Sequence, residues 1–209
     1  MAFYFFHTIL LSLLYSCFSW QWDVPSTHSY GPNVVGHTLT TFTTRANTAM
    51  VVICGGVNEL QVPYSQCIVL DPYSWTFRFS FPLSNPRVDH VAVQVGRFLV
   101  IASGVNPAPV YCDVIDSSSW TVSSTGQCDT GDVPAANWGS TLVTTSNGLS
   151  ILFGGCTGNF SNPGHDNNYL FVLDGKNAPA FQWSRPTLTG DSAPPPGTIM
   201  PPPHGAPPS

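Results

Sequence analysis

Charge is what this sequence has least of. Asp, Glu, Lys and Arg make up 8% of its 209 residues, against roughly 25% in an average soluble domain. Only 6 residues are Lys or Arg and the formal net charge is −5. That excludes a basic footprint for nucleic acid or for an anionic lipid surface. Long apolar runs are lacking beyond Trp20, so no later segment reaches the roughly 18 residues of a membrane span. Chemical signatures are lacking too. No CxxC and no Cys/His cluster has zinc spacing, which excludes a structural zinc site. No HExxH, no GxSxG and no phosphate-cradling glycine motif is present, so no metalloprotease, serine-hydrolase or nucleotide-binding signature organises the chain.

What is present suits short strands and many turns. Apolar residues are 43%, with 18 glycines and 20 prolines. Val, Thr, Phe and Trp favour strands, and Gly and Pro favour turns.

Phe3 to Trp20, FYFFHTILLSLLYSCFSW, is an apolar leader. Its strongest part, Thr8 to Tyr15, has the length of a signal-peptide core, and Cys17 and Ser19 fit cleavage after Ser19. The expectation is a signal peptide over residues 1–19, although the n-region has no Lys or Arg; an uncleaved anchor is the alternative, because the apolar run is about as long as the roughly 18 residues of a membrane span. Export makes the chain secreted or displayed at the cell surface. No membrane span is expected in the mature chain unless that anchor is kept.

Export also makes the cysteines disulfide candidates. Cys54 and Cys67 fall in one repeat of the sequence, Cys112 and Cys128 in the next, and Cys156 is left over. Spacing leaves the connectivity open. Asn159-Phe160-Ser161 is a glycosylation sequon in a loop-like stretch.

Val51 to Trp75, VVICGGVNELQVPYSQCIVLDPYSW, sets the phrase that recurs. A strand ends at Gly55-Gly56. A polar loop follows, then a strand Cys67–Leu70, then the turn Asp71-Pro72-Tyr73-Ser74. Trp75, Phe77, Phe79 and Phe81 alternate, which predicts a half-buried strand with its aromatics on one side. The second occurrence has Ser103-Gly104, a strand Val110–Ile115, Asp116, and a strand from Trp120 to Ser124. The third has a hairpin across Ser146-Asn147-Gly148, then Gly154-Gly155, a long loop Cys156–Asn168, a strand Tyr169–Leu173 ending at Asp174, and Trp183. The marks are spaced 104 − 56 = 48 and 155 − 104 = 51 residues apart. Such a period with four short strands per unit is a propeller signature. The fold class expected is all-β, a β-propeller of four-stranded blades with about three full blades in a partial or open ring.

Gly55-Gly56, Asp71 and Trp75, followed by Pro86-Arg87-x-x-His90, resemble the kelch repeat. Ser103-Gly104, Asp116 and Trp120 match a second unit, and Gly154-Gly155, Asp174 and Trp183 a third. The second unit departs by Ser103 in place of a glycine, and the third by a step of nine positions from Asp174 to Trp183 instead of four. The division expected is an arm at 20–34, blades at 35–85, 86–134 and 135–190, and a proline-rich tail at 191–209. The resemblance implies structural roles for these marks, with the tryptophans filling space between blades.

It also implies a binding module that presents the loops Val57–Gln66, Asn106–Pro109 and Cys156–Asn168 to a protein or glycan partner. The alternatives are part of a galactose-oxidase-like copper carbohydrate oxidase, or an inactive fragment of a larger kelch protein. Of His28, His37, His90, His165 and His204, only His165 invites attention as a ligand. No catalytic residue, metal ligand or cofactor is assigned.

Overall fold

The computed structural model describes residues 33–105, 112–122, 128–135, 137–159, 162–166 and 169–187. The leader, most of the arm, Asn106–Pro109 and the proline-rich tail lie outside them. The described residues form strands and turns, with no helix among them.

Sheet 1 runs β1 (Thr38–Thr43), β2 (Ala49–Cys54), β3 (Gln66–Asp71) and β4 (Thr76–Pro82), each hydrogen-bonded to the next. Sheet 2 repeats the pattern with β5 (Val91–Val95), β6 (Phe98–Ala102), β7 (Cys112–Asp116) and β8 (Thr121–Val122). All these pairings are antiparallel. After β9 (Thr130–Gly131) and β10 (Asn137–Trp138), sheet 3 opens with β11 (Thr141–Thr144) and β12 (Leu149–Phe153). A ribbon of β13 (Cys156–Asn159) and β14 (Asn162–Asp166) follows, then β15 (Leu170–Asp174) and β16 (Gln182–Ser184). Sheet 3 has the order β11-β12-β15-β16-β9, and its last pairing is parallel.

The three sheets stack in chain order. Phe42, Val52, Val69 and Phe81 of sheet 1 pack with Leu99, Ile101 and Ile115 of sheet 2. The opposite face of sheet 2, with Val93, Val100 and Val114, packs with Leu152, Phe171, Leu173 and Trp183 of sheet 3. Sheet 2 is therefore covered on both sides. That is why β6, FLVIA, is apolar at every position and buried at every position, whereas β2 and β12 bury alternate residues.

Several sequence expectations change. The aromatics of β4 do not share one side. A bulge leaves Arg78 unpaired between Val69↔Phe79 and Leu70↔Phe77, so Phe77 lies on the other face from Phe79 and Phe81. The strand expected at Trp120–Ser124 begins at Thr121, with Trp120 in the turn before it. The expected loop Cys156–Asn168 contains the ribbon β13–β14, which β10 extends into a three-stranded sheet. Thr130–Gly131, expected with the second unit, pairs with the third.

Candidate functional site

The sequence marks converge where the chain enters each sheet. The residue after each glycine mark bridges a residue three positions before that sheet's first strand. Val57 bridges Val35 through two hydrogen bonds of 2.9 Å. Val105 bridges Val88, and Cys156 pairs with Trp138, in the same way. Neighbouring sheets are then sewn together by two recurring backbone bonds. The Gly56 amide donates to Arg87 O at 2.7 Å, and the Gly104 amide to Asn137 O at 2.6 Å. The Asp89 amide donates to Gly36 O at 2.8 Å, and the Gly139 amide to Asp89 O at 3.2 Å. The seam explains the glycines. A Cβ on Gly55 would sit 2.5 Å from Arg87 O, and one on Gly104 2.7 Å from Val88 O. Ser103 replaces the glycine at the equivalent place, at φ +65°. Its Oγ accepts from the Asn137 amide at 2.9 Å and also donates to Asn137 O, so the hydroxyl adds to the seam.

A buried polar cluster stands behind the seam. Arg87 Nε donates to Asp113 Oδ2 at 3.1 Å, with both side chains 1% exposed. Arg87 Nη1 donates to Ser103 O at 3.1 Å, and the Ser84 amide donates to Asp113 Oδ1 at 3.3 Å. The cluster thus ties the entry of β5 to β7 and to the glycine mark after β6. His90 is buried, with Nε2 on the Thr38 hydroxyl at 2.9 Å and Nδ1 without a hydrogen-bond partner. Burial, then the nearby Arg87 and His37, push its pKa down to about 3, so the ring is neutral at pH 7. Burial raises the carboxyl pKa of neighbouring Asp89.

The aspartates of the repeat organise the outer hairpins. Asp71 Oδ1 accepts the Tyr73 amide, Asp116 Oδ1 the Ser118 amide and Asp174 Oδ1 the Lys176 amide, at 2.8–2.9 Å. Each is an Asx turn, which a short carboxylate two residues back from an amide can make. Arg78 adds an ion pair to Asp71 from the bulge. That contact and the turn amides hold the Asp71 carboxyl well below the usual range. At Asp116 desolvation pushes the carboxyl up, but the hydrogen bonds from Ser118 and the charges of Arg97 and Arg45 together outweigh it and lower the pKa.

The tryptophans divide. Trp120 sits among Phe42, Phe79 and Phe81 of sheet 1, with ring centroids 5.2–5.8 Å away. Trp183 is buried and donates through Nε1 to Cys128 O at 2.9 Å. Both fill space between sheets. Trp75 holds the place equivalent to Trp120, at φ +54° against +53°, yet is 55% exposed. Its expected filling role fails here because no described sheet lies on that side of sheet 1.

Cys54 is bonded to Cys67 directly across β2 and β3, and Cys112 to Cys128. The second bridge fixes the segment that leads from sheet 2 into β9 of sheet 3. Cys156 is in neither bridge. Asn159 ends β13, and His165 lies on β14. His28 and His204 lie outside the described residues. Among the described residues, no three His, Cys, Asp or Glu side chains gather to hold a metal.

Sequence reading missed Asp113, Asn137 and Gln94. Gln94 accepts the Thr43 amide and donates to Thr43 O, both at 2.9 Å, closing the other end of the contact between sheets 1 and 2. A single Gln on an alternating strand carries no signal of this. Asn58 was missed as well. Its Oδ1 accepts from the Leu60 and Val62 amides at 3.0 and 2.9 Å and braces the β2–β3 loop. At the tip of that loop Leu60 is 76% and Val62 53% exposed.

No protein-family model matches the chain, and no curated protein matches it in sequence.

Proposed function

We propose that the chain forms three consecutive blades of a kelch-type β-propeller and works outside the cell as a binding module. The repeated seam supports the propeller reading, because the same backbone bonds join sheet 1 to sheet 2 and sheet 2 to sheet 3. Two disulfides are compatible with an extracellular setting. The observation that carries the binding role is the β2–β3 loop. An Asn58-braced turn holds Leu60 and Val62 out in solvent, where their side chains serve no core. The same connection in the third unit is the ribbon β13–β14. Ordered apolar side chains at a loop tip suit a protein surface better than a sugar.

The test uses the secreted full chain, labelled and applied to intact cells and to a glycan array. Saturable cell binding that protease treatment of the cells removes, and that Leu60→Ser with Val62→Ser weakens at least tenfold, is the expected result. Binding that the loop variants leave unchanged overturns the loop assignment. Binding to the glycan array, together with cell binding that survives protease treatment, overturns the choice of a protein partner.

A further inference from the structure

We infer that the two outer faces of the stack, which no other described sheet covers, are complementary, and that a second copy of this chain seats on them to close a ring of two chains. The inference rests on the propeller reading for closure of the ring. The matching of the faces rests on packing alone.

Each sheet has two kinds of face. On sheet 1, Cys54, Val52 and Met50 face sheet 2. Counted back from the glycine mark, Ala102, Val100 and Phe98 hold the same places on sheet 2, and Ala102, Val100 and Phe98 face sheet 3. Phe153, Ile151 and Leu149 hold these places on sheet 3 and form its outer face, with Val143 beside them at 53% exposure. The opposite kind of face follows the same rule. Leu99 and Ile101 of sheet 2 face sheet 1, and Ser150 and Leu152 of sheet 3 face sheet 2. Val51 and Ile53 hold those places on the outer face of sheet 1, where Leu39, directly across from Ile53, is 66% exposed.

The contact between the first kind of face and the second is therefore made twice inside the chain. One free half of it remains at each end. A second copy offers both halves. The outer face of sheet 3 in one chain meets the outer face of sheet 1 in the other, and the reverse contact follows by two-fold rotation. Closure adds no new type of surface. Three stacked sheets from each chain then give about six, within the roughly four to eight blades of known propellers.

The backbone specifies the register. Val34 stands where Arg87 and Asn137 stand in the later units, and Gly36 where Asp89 and Gly139 stand. Continuing the seam sends the Gly155 amide to Val34 O of the second copy. It sends the Gly36 amide of the second copy to Gly139 O. Trp75 would then be covered as Trp120 is covered inside the chain.

Light scattering after size exclusion of the full chain, with its disulfides formed, tests this. A discrete particle of twice the protomer mass is expected. Val143→Asp on one face and Leu39→Asp on the other should each give monomer. An equimolar mixture of the two variants should recover a heterodimer, because one of the two contacts joins an unsubstituted pair of faces. Circular dichroism and non-reducing peptide mapping check that each variant is folded. If either aspartate variant misfolds, Val143→Thr and Leu39→Thr take its place and should raise the dissociation constant at least tenfold.

Three outcomes overturn the proposal. One is a monomeric unsubstituted chain, as when the terminal segments of the same chain cover the faces. Another is a dimer that survives either aspartate substitution, which means like faces pair. The last is growth beyond two copies, which means the faces match without closing and counts against the propeller reading itself. A monomer leaves that reading untouched, and none of these outcomes bears on the loop variants at Leu60 and Val62.

Discussion

At Gly56 the backbone sits at φ +92°, and a Cβ built there lies 2.7 Å from Val35 O and 3.1 Å from His37. Gly96 has φ +59° with open space around it. Both positions charge an alanine for a left-handed backbone, but only Gly56 adds a collision with backbone that the seam holds fixed. Gly56→Ala should cost about 2–4 kcal/mol and Gly96→Ala about 1 kcal/mol, read from urea unfolding midpoints. Equal effects would mean that the seam yields. His90 supplies a pH dependence. Unfolded, its ring takes a proton near pH 6.5; folded, the value is about 3. Between those values the unfolded chain binds more protons, so stability is full above about pH 6.5 and falls as the pH drops. Going from pH 7.5 to 4.5 should cost about 2–3 kcal/mol through this residue. Asp71 and Asp116, both lowered, lose their contributions only in more acidic solution. Asp89, raised by burial, acts with the opposite sign, losing stability as the pH rises through its folded value. The check is therefore the difference between the unsubstituted chain and His90→Gln across that range. A pH slope that His90→Gln leaves unchanged rules out the histidine as its source.

The Arg87–Asp113 pair works at the scale of elements, because it clamps the entry of β5 to β7. Removing one partner leaves the other charged, buried and short of hydrogen bonds. Arg87→Met should cost about 3–5 kcal/mol. Arg87→Met with Asp113→Leu should cost less than Arg87→Met alone, since no charge is then stranded. Denaturant unfolding of the two singles and the double measures the coupling, and strictly additive losses would show that the pair is not a unit. Arg87 was legible in the sequence through the likeness of Pro86-Arg87-x-x-His90 to the kelch repeat, but Asp113 was not, because an acidic residue inside a strand has no pattern of its own. The main strands were legible for a related reason. Their apolar runs end at Gly55-Gly56, Ser103-Gly104 and Gly154-Gly155, where the seam excludes a side chain or demands a left-handed backbone. Elements defined by a partner were hidden. β9 is two residues, and it is a strand only because Thr130 and Gly131 pair with β16. The ribbon β13–β14 carries Gly158 and Pro163 and reads as loop until β10 pairs with it. The bulge at Arg78 leaves the aromatic alternation of β4 unchanged on paper while reversing the face of Phe77.

Across the whole molecule, burial is graded by position in the stack. β6 is buried along its full length, while β11 in sheet 3 keeps three of its four residues exposed. A sheet packed on both faces opens only when both contacts break, so its amides should exchange near the global unfolding limit. Sheets 1 and 3 each have one contact inside the chain and should open at lower cost. The disulfides temper this only locally. Closing loops with sequence separations of 13 and 16 residues removes about 3 kcal/mol of unfolded-state entropy each, but neither bridge covers an outer face. Hydrogen exchange read by mass spectrometry should therefore separate the single chain from the closed pair. In monomeric Val143→Asp, peptides from Phe98–Ala102 should exchange slowest, and those from Thr38–Thr43 and Thr141–Thr144 measurably faster. In the unsubstituted chain each outer sheet gains the contact that sheet 2 already has, and the three sheets should converge on one protection level. A gradient of the same size in both proteins would mean that the outer faces stay uncovered in solution.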